Sequence, residues 1–163
     1  MRTRVLVTYA TRAGSTGEVA HVIGEVLSAR SFSVDVRTIK SRPRVEDYQA
    51  VLIGSAIRTS RWLPEAVSFV DDHQDALRRV PLALFTVHMH NTGDDARSVA
   101  NRLAYLNTVR PLLHPIGEVF FSGAIDPAKL SALDRLMVRA VKAPVGDFRK
   151  WDKVRDWAQT ILA

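Results

Sequence analysis

Apolar residues are distributed along this chain in two alternating patterns. Four short runs are largely apolar: Thr3 to Thr8 (TRVLVT), Tyr48 to Gly54 (YQAVLIG), Val80 to Val87 (VPLALFTV) and Ile116 to Phe121 (IGEVFF); a fifth, Phe32 to Val36, also reads as a strand. Between and after them, apolar residues recur every three or four positions. The short runs predict strands buried on both faces; the periodic stretches predict helices. The first helix spans Ser15 to Ala29, with Val19, Ile23, Val26 and Leu27 on one face. The second spans Pro64 to Leu77, with Pro64 in its first turn and Ala66, Phe69, Val70 and Leu77 turned inward. Three more are expected over Asp94 to Leu106, Asp126 to Lys142 and Lys150 to Leu162, the last with Trp151, Val154, Trp157, Ala158 and Ile161 as core. Lys40-Ser41-Arg42-Pro43-Arg44 reads as a Pro-broken loop. Buried strands alternating with helices predict an α/β fold, a doubly wound five-stranded parallel sheet in the order 2-1-3-4-5 flanked by helices. Such a sheet binds ligands beyond the carboxyl ends of its strands, near the switch point between strands 1 and 3.

Three polar loops lie at that edge. Thr11-Arg12-Ala13-Gly14-Ser15-Thr16 follows strand 1 and opens helix 1. A helix N-terminus has unpaired N–H groups and a partial positive charge, which suit an anion. Gly14 lets the backbone curl close to a ligand, and Thr11, Ser15 and Thr16 can donate hydroxyls to phosphate oxygens. Gly14 stands where a Walker A loop needs lysine, and Gly14 and Gly17 alone do not make a three-glycine dinucleotide fingerprint. The plainer alternative is that Ser15 caps helix 1, with Glu18 completing a capping box. The second loop, Gly54 to Trp62, contains Arg58 and Arg61 and ends on an aromatic able to stack on a flat ring. The third runs from Thr86 to Gly93. Its His88 and His90 have no carboxylate close by and read as ordinary loop histidines, so no metal is expected.

Composition narrows the function classes. A chain of 163 residues, 47% hydrophobic, fits one domain over 1–163 with a sizeable core. The absence of cysteine excludes disulfides, thiolate catalysis and cysteine zinc sites. No apolar stretch is long enough to span a bilayer and the N-terminus has no signal-like run, so a cytoplasmic location is expected. The net charge of +6 favours anionic partners. The basic residues are scattered and carry no recognition motif, so nucleic acid is not expected among them. A phospho-accepting receiver domain, which would share the fold, needs an aspartate after strand 3, where Gly54-Ser55 stands.

Thr11-Arg12-Ala13-Gly14-Ser15-Thr16 resembles the phosphate loop of flavodoxins, S/T-x-T-G-x-T. Thr11, Gly14 and Thr16 match it; Ala13 replaces a usual threonine, and Arg12 adds a charge. The resemblance implies a flavodoxin-like fold that holds the phosphate of FMN with residues 11–16. It implies a second FMN loop from Ser55, Ala56, Ile57 and Arg58 to Trp62, with Trp62 near the isoalloxazine. It implies a third from Thr86, Val87 and His88 to Gly93, flanking the ring. A narrower resemblance rests on T-R-x-G-x-T, G-S-A-I-R, F-F-S-G-A-I and L-D-R-L-M-V-R, which together are similar to the menaquinone-dependent protoporphyrinogen IX dehydrogenases of haem biosynthesis. That family implies an FMN-dependent oxidoreductase that oxidises a small substrate, protoporphyrinogen IX, with a quinone as acceptor. No side chain is then a required acid or base, since the flavin N5 takes the hydride.

The alternative is a flavodoxin electron carrier exchanging electrons with a redox partner protein. Carrier flavodoxins are acidic around the flavin, whereas this chain is basic. Arg58 and Arg61 are expected beside the ring, where a cation would stabilise reduced, anionic flavin and raise the potential, and where substrate propionates would also fit. Lys129 to Lys142 (KLSALDRLMVRAVK) reads as a basic amphipathic helix. Leu130, Leu133, Met137, Ala140 and Val141 are expected mostly to cover the sheet. Peripheral contact with the inner face of a membrane is the lesser reading of the same helix.

Overall fold

A computed structural model describes residues 2–140 and 145–163. Its main sheet is built from β1 (Arg4–Ala10), β2 (Ser33–Thr38), β3 (Ala50–Arg58), β5 (Leu82–His88) and β6 (Gly117–Ser122), hydrogen-bonded in the order β2-β1-β3-β5-β6. All four pairings are parallel. Counting these five long strands alone, the order is the expected 2-1-3-4-5. A two-residue strand, β4 (Arg61–Trp62), folds back antiparallel on the end of β3.

The period-2 alternation of each strand divides its side chains between two cores. Leu6, Val51, Ile53, Leu82 and Leu84 face one layer, which includes Ala66, Phe69 and Val70 of α2 (Pro64–Leu77) and Leu106 and Val109 beyond α3 (Ala96–Ala104). Val5, Val7, Leu52, Ala83 and Phe85 face the other. There Val19, Ala20, Ile23 and Leu27 of α1 (Ser15–Ala29) pack beside Val154 and Ala158 of α5 (Trp151–Thr160). At Gly54 the two layers leave no space for a side chain: a Cβ there would fall within the Phe85 ring, which is fully buried.

The C-terminal third departs from the expected single helix over 126–142. The chain forms β7 (Ala124–Ile125), a 3-10 turn over Pro127–Lys129, and α4 (Ala132–Ala140). β7 pairs with β8 (Gly146–Asp147). Val141 and Lys142 of the expected helix lie outside the described residues. Nor does α4 cover the sheet. None of its residues is buried, Leu133 and Leu136 are over 60% exposed, and only Leu130 just before it sinks into the fold. Amphipathic spacing alone misleads here, because it reports a sided helix but not what its apolar side meets.

Candidate functional site

The turn between β1 and α1 leaves the helix N-terminus open. Gly14 is the N-cap residue, at φ 90°, and no side chain caps the helix. The left-handed backbone at Gly14 is one that a residue with a Cβ rarely adopts. The first helical bond runs from Glu18 N–H to the Gly14 carbonyl. Among the described residues, no chain acceptor meets the N–H groups of Ser15, Thr16 or Gly17. The capping box does not form, because the Glu18 carboxylate pairs with Arg149 instead. α3 shows the contrast: there Asp95 accepts from Ser98 N–H and closes the helix start. Beside the open end of α1, Thr11 Oγ1 accepts from Gly14 N–H at 3.0 Å. Thr16 Oγ1 is fully buried with no hydrogen-bond partner. An orphaned hydroxyl next to three unused N–H donors has the chemistry of a phosphate cradle.

This turn forms one wall of a cavity of about 470 Å³, within the range that encloses a drug-sized or cofactor-sized ligand. Thr11, Arg12, Ala13 and Ser15 line it from the β1 side, and Ala56, Ile57 and Arg58 from the end of β3. Val87 and His88 come from the end of β5, with Met89, His90 and Asn91 of the following loop. The three expected segments therefore converge. The lip over β3 is a two-residue hairpin turn at Thr59 and Ser60, both at positive φ (53° and 60°). This is a geometry that usually demands glycine or asparagine.

Six expected site residues do not line the cavity: Gly14 and Thr16 lie in the turn behind its wall, and four others take structural positions. Trp62 is buried in the core, and its Nε1–H donates to Thr86 Oγ1 at 2.9 Å, so both side chains are occupied away from the cavity wall. The segment 54–62 is not a long loop: β3 continues through Arg58, and the β4 hairpin turns the indole inward. Ser55 is likewise buried; its hydroxyl donates to the Ala56 carbonyl and accepts from Leu63 N–H. Gly93 sits beside Asp95 at the start of α3, outside the cavity.

Two of the three expected cations, Arg12 and Arg58, are paired. Arg12 forms a two-point ion pair with Glu65 of α2, one contact at 3.0 Å. That pair holds the Glu65 carboxyl below its ordinary range and the Arg12 guanidinium above its own. Arg58 reaches Asp134 of α4 at 3.4 Å, while Arg61 is exposed and does not line the cavity. The unopposed positive charge expected beside the ring is thus an ion pair.

His88 is 4% exposed, packed against Tyr105 and Phe120, and its Nδ1–H donates to the His90 carbonyl at 2.7 Å. Burial pushes its pKa below the ordinary 6.5, with a smaller opposing effect from the His90 carbonyl. The ring is therefore neutral at pH 7. The unfolded chain takes up a proton at this histidine below about pH 6.5, while the folded chain does so only at lower pH. Stability contributed here is present above pH 6.5 and is lost as pH falls below it. His88→Gln should flatten the dependence of Tm on pH between about 7.5 and 5.5. Unchanged slopes in thermal melts would remove His88 from that role.

Sequence reasoning missed the far wall: Tyr105, Gly123, Ala124, Ile125, Leu130, Asp134, Met137 and Val138. Six of these eight residues lie in F-F-S-G-A-I and L-D-R-L-M-V-R, the segments that carry the narrower family likeness. At Gly123, a Cβ would meet Val87 Cγ1 at 2.7 Å and Ser15 Oγ at 3.4 Å, so the glycine lets β6 close against the open turn.

The flavodoxin domain family matches residues 6–151. The protoporphyrinogen IX dehydrogenase [quinone] of Escherichia coli strain K12 is 25% identical over 162 residues, covering 96% of this chain and 90% of that protein. The Leishmania major protein of the same name is 24% identical, covering 95% and 70%. Among solved structures, a flavodoxin from the domain Archaea superposes with a TM-score of 0.59 at 14% identity, over 97% of this chain and 95% of the other. The fold, the open helix end and the three converging segments agree with that match: the chain belongs to the flavodoxin domain family, and FMN is its cofactor.

Proposed function

We propose that this protein is an FMN-dependent oxidoreductase that takes electrons from a small reduced substrate, protoporphyrinogen IX, and passes them to a quinone. The observation that carries the reading is the composition of the far wall. Gly123, Ala124 and Ile125 lie in F-F-S-G-A-I, and Asp134, Met137 and Val138 in L-D-R-L-M-V-R. The motifs that carry the narrower resemblance are therefore the ones that complete the cavity. The likeness to the two porphyrinogen dehydrogenases spans 95–96% of the chain and supports the same reading.

Bound FMN supplies the two-electron redox chemistry. The chain's own part is positioning and exclusion of water. Ser15, Thr16 and Gly17 offer N–H groups, and Thr16 a hydroxyl, to the phosphate. Ile57, Val87, Met137 and Val138 make the cavity wall largely apolar, and Arg58 with Asp134 places one balanced charge pair in it. His88 is neutral with its Nδ1 proton held by a carbonyl, so it acts as a fixed dipole in the wall.

Among the described residues, no helix is long and apolar enough to cross a membrane. α4 does, however, expose Leu133 and Leu136 next to Arg135 and Arg139, which supports peripheral contact with an anionic bilayer where a quinone resides. The rival carrier reading is favoured by the backbone likeness to flavodoxins themselves. Turnover separates the two. The proposed enzyme oxidises protoporphyrinogen IX with quinone presented in anionic vesicles. A carrier instead exchanges electrons with a flavodoxin reductase and leaves porphyrinogen unoxidised.

A further inference from the structure

A second, smaller cavity adjoins the first through His88, which lines both. It lies between the ends of β5 and β6, the loop before α3, Arg102 in the last turn of α3, and the start of α5. Its volume of about 140 Å³ is below the range that encloses a whole cofactor-sized ligand, so it suits a single functional group. Arg102, Lys150 and Lys153 surround it, opposed by one carboxylate, Asp94, with the hydroxyls of Thr92 and Ser122 between them. We infer that this cavity is an oxyanion subsite, taking one carboxylate or phosphate group of a molecule that also reaches the FMN cavity.

Three features support it. Arg102 is held in place, its NH1 donating to the Asn91 carbonyl at 2.7 Å and the Gly93 carbonyl at 2.5 Å, which leaves the rest of the guanidinium fork available. Lys153 is tethered by one bond to the Phe120 carbonyl at 2.8 Å, and an ammonium has three donors. Burial pushes the Lys153 pKa down, and the like charges of Arg102 and Lys150 add to the effect. Cations gathered against their mutual repulsion gain most from an anion between them. Neutral His88 adds no charge of its own. The inference rests on these residues and not on which substrate is oxidised.

The test uses FMN-loaded, ¹⁵N-labelled protein titrated separately with inorganic phosphate and with glutarate, at ionic strength held constant with sodium chloride. Saturable amide shifts confined to Thr92, Ser122 and Lys153 are expected, at least tenfold weaker in the Lys150→Gln/Lys153→Met double variant and intermediate in Lys150→Gln. FMN affinity should be unchanged in both, which verifies the fold. Tighter glutarate binding assigns the subsite to an acid group such as a substrate carboxylate, and tighter phosphate binding to a phosphorylated ligand. Non-saturating shifts, or saturable shifts that the double variant leaves intact, overturn it. Anion binding without porphyrinogen turnover would overturn the proposed substrate alone; turnover without anion binding would overturn the subsite alone.

Discussion

Thr16→Val is expected to weaken FMN binding while leaving the FMN-free protein as stable as the parent, or more stable. The two halves have one cause. Thr16 Oγ1 is fully buried in the first turn of α1 and, among the described residues, has no hydrogen-bond partner. A buried hydroxyl left unpaired costs about 1–3 kcal/mol, so replacing it by a methyl of similar shape removes that penalty. With a phosphate in the cradle, the same hydroxyl makes a charge-assisted bond of about 1.5–3 kcal/mol, and its loss lowers FMN affinity by about 10- to 150-fold. Flavin fluorescence titration and thermal melts of flavin-free protein measure the two halves. A variant that loses stability and keeps its FMN affinity would show that Thr16 serves the fold and not the cofactor.

The second large effect lies at the root of the middle segment. Gly54→Ala places a methyl inside the space of the Phe85 ring, and Phe85 is fully buried on the α1–α5 side of the sheet. Neither partner can retreat: Gly54 is fixed in register with Tyr9 on β1 and Phe85 on β5. Overpacking costs about 1–3 kcal/mol and occasionally more, and the severity of this overlap places it at or above the upper end. For a chain of this size about 3 kcal/mol lowers Tm by roughly 6–12 °C. Phe85→Leu should restore part of the loss in the double variant, although it destabilises on its own, because the two positions share one space. A Gly54→Ala protein with parental Tm would show that the sheet can shift at this point.

The fold was legible because its signals are redundant. The central strands β3 and β5 are near-continuous apolar runs, the α1 and α2 core residues fall at helical spacing, and only a parallel, doubly covered sheet uses both. The open turn before α1 is legible as a candidate phosphate site because hydroxyls, one glycine and a helix start coincide within residues 11–16. Trp62 was not. An aromatic after a polar stretch can face ligand or core, and the choice depends on a two-residue hairpin whose turn, Thr59-Ser60, lacks the glycine that announces one. Arg58 does line the cavity, but as one half of an ion pair and not as a free cation. Its partner Asp134 lies 76 residues away, and no local pattern reveals such a pairing. α4 carried the expected sidedness, yet its cavity-facing residues Asp134, Met137 and Val138 belong to a helix that leaves the sheet.

The central claim is that the N-terminus of α1 holds a phosphate. The measurement that tests it most directly is the affinity of purified, flavin-free protein for FMN compared with riboflavin, followed by quenching of flavin fluorescence. The two ligands share the ring and the ribityl chain and differ only in the phosphate. Three free N–H groups and the Thr16 hydroxyl acting on that group predict that FMN binds about 100-fold or more tightly than riboflavin. Equal affinities would contradict the account and leave Thr11 to Thr16 as a turn that holds no phosphate.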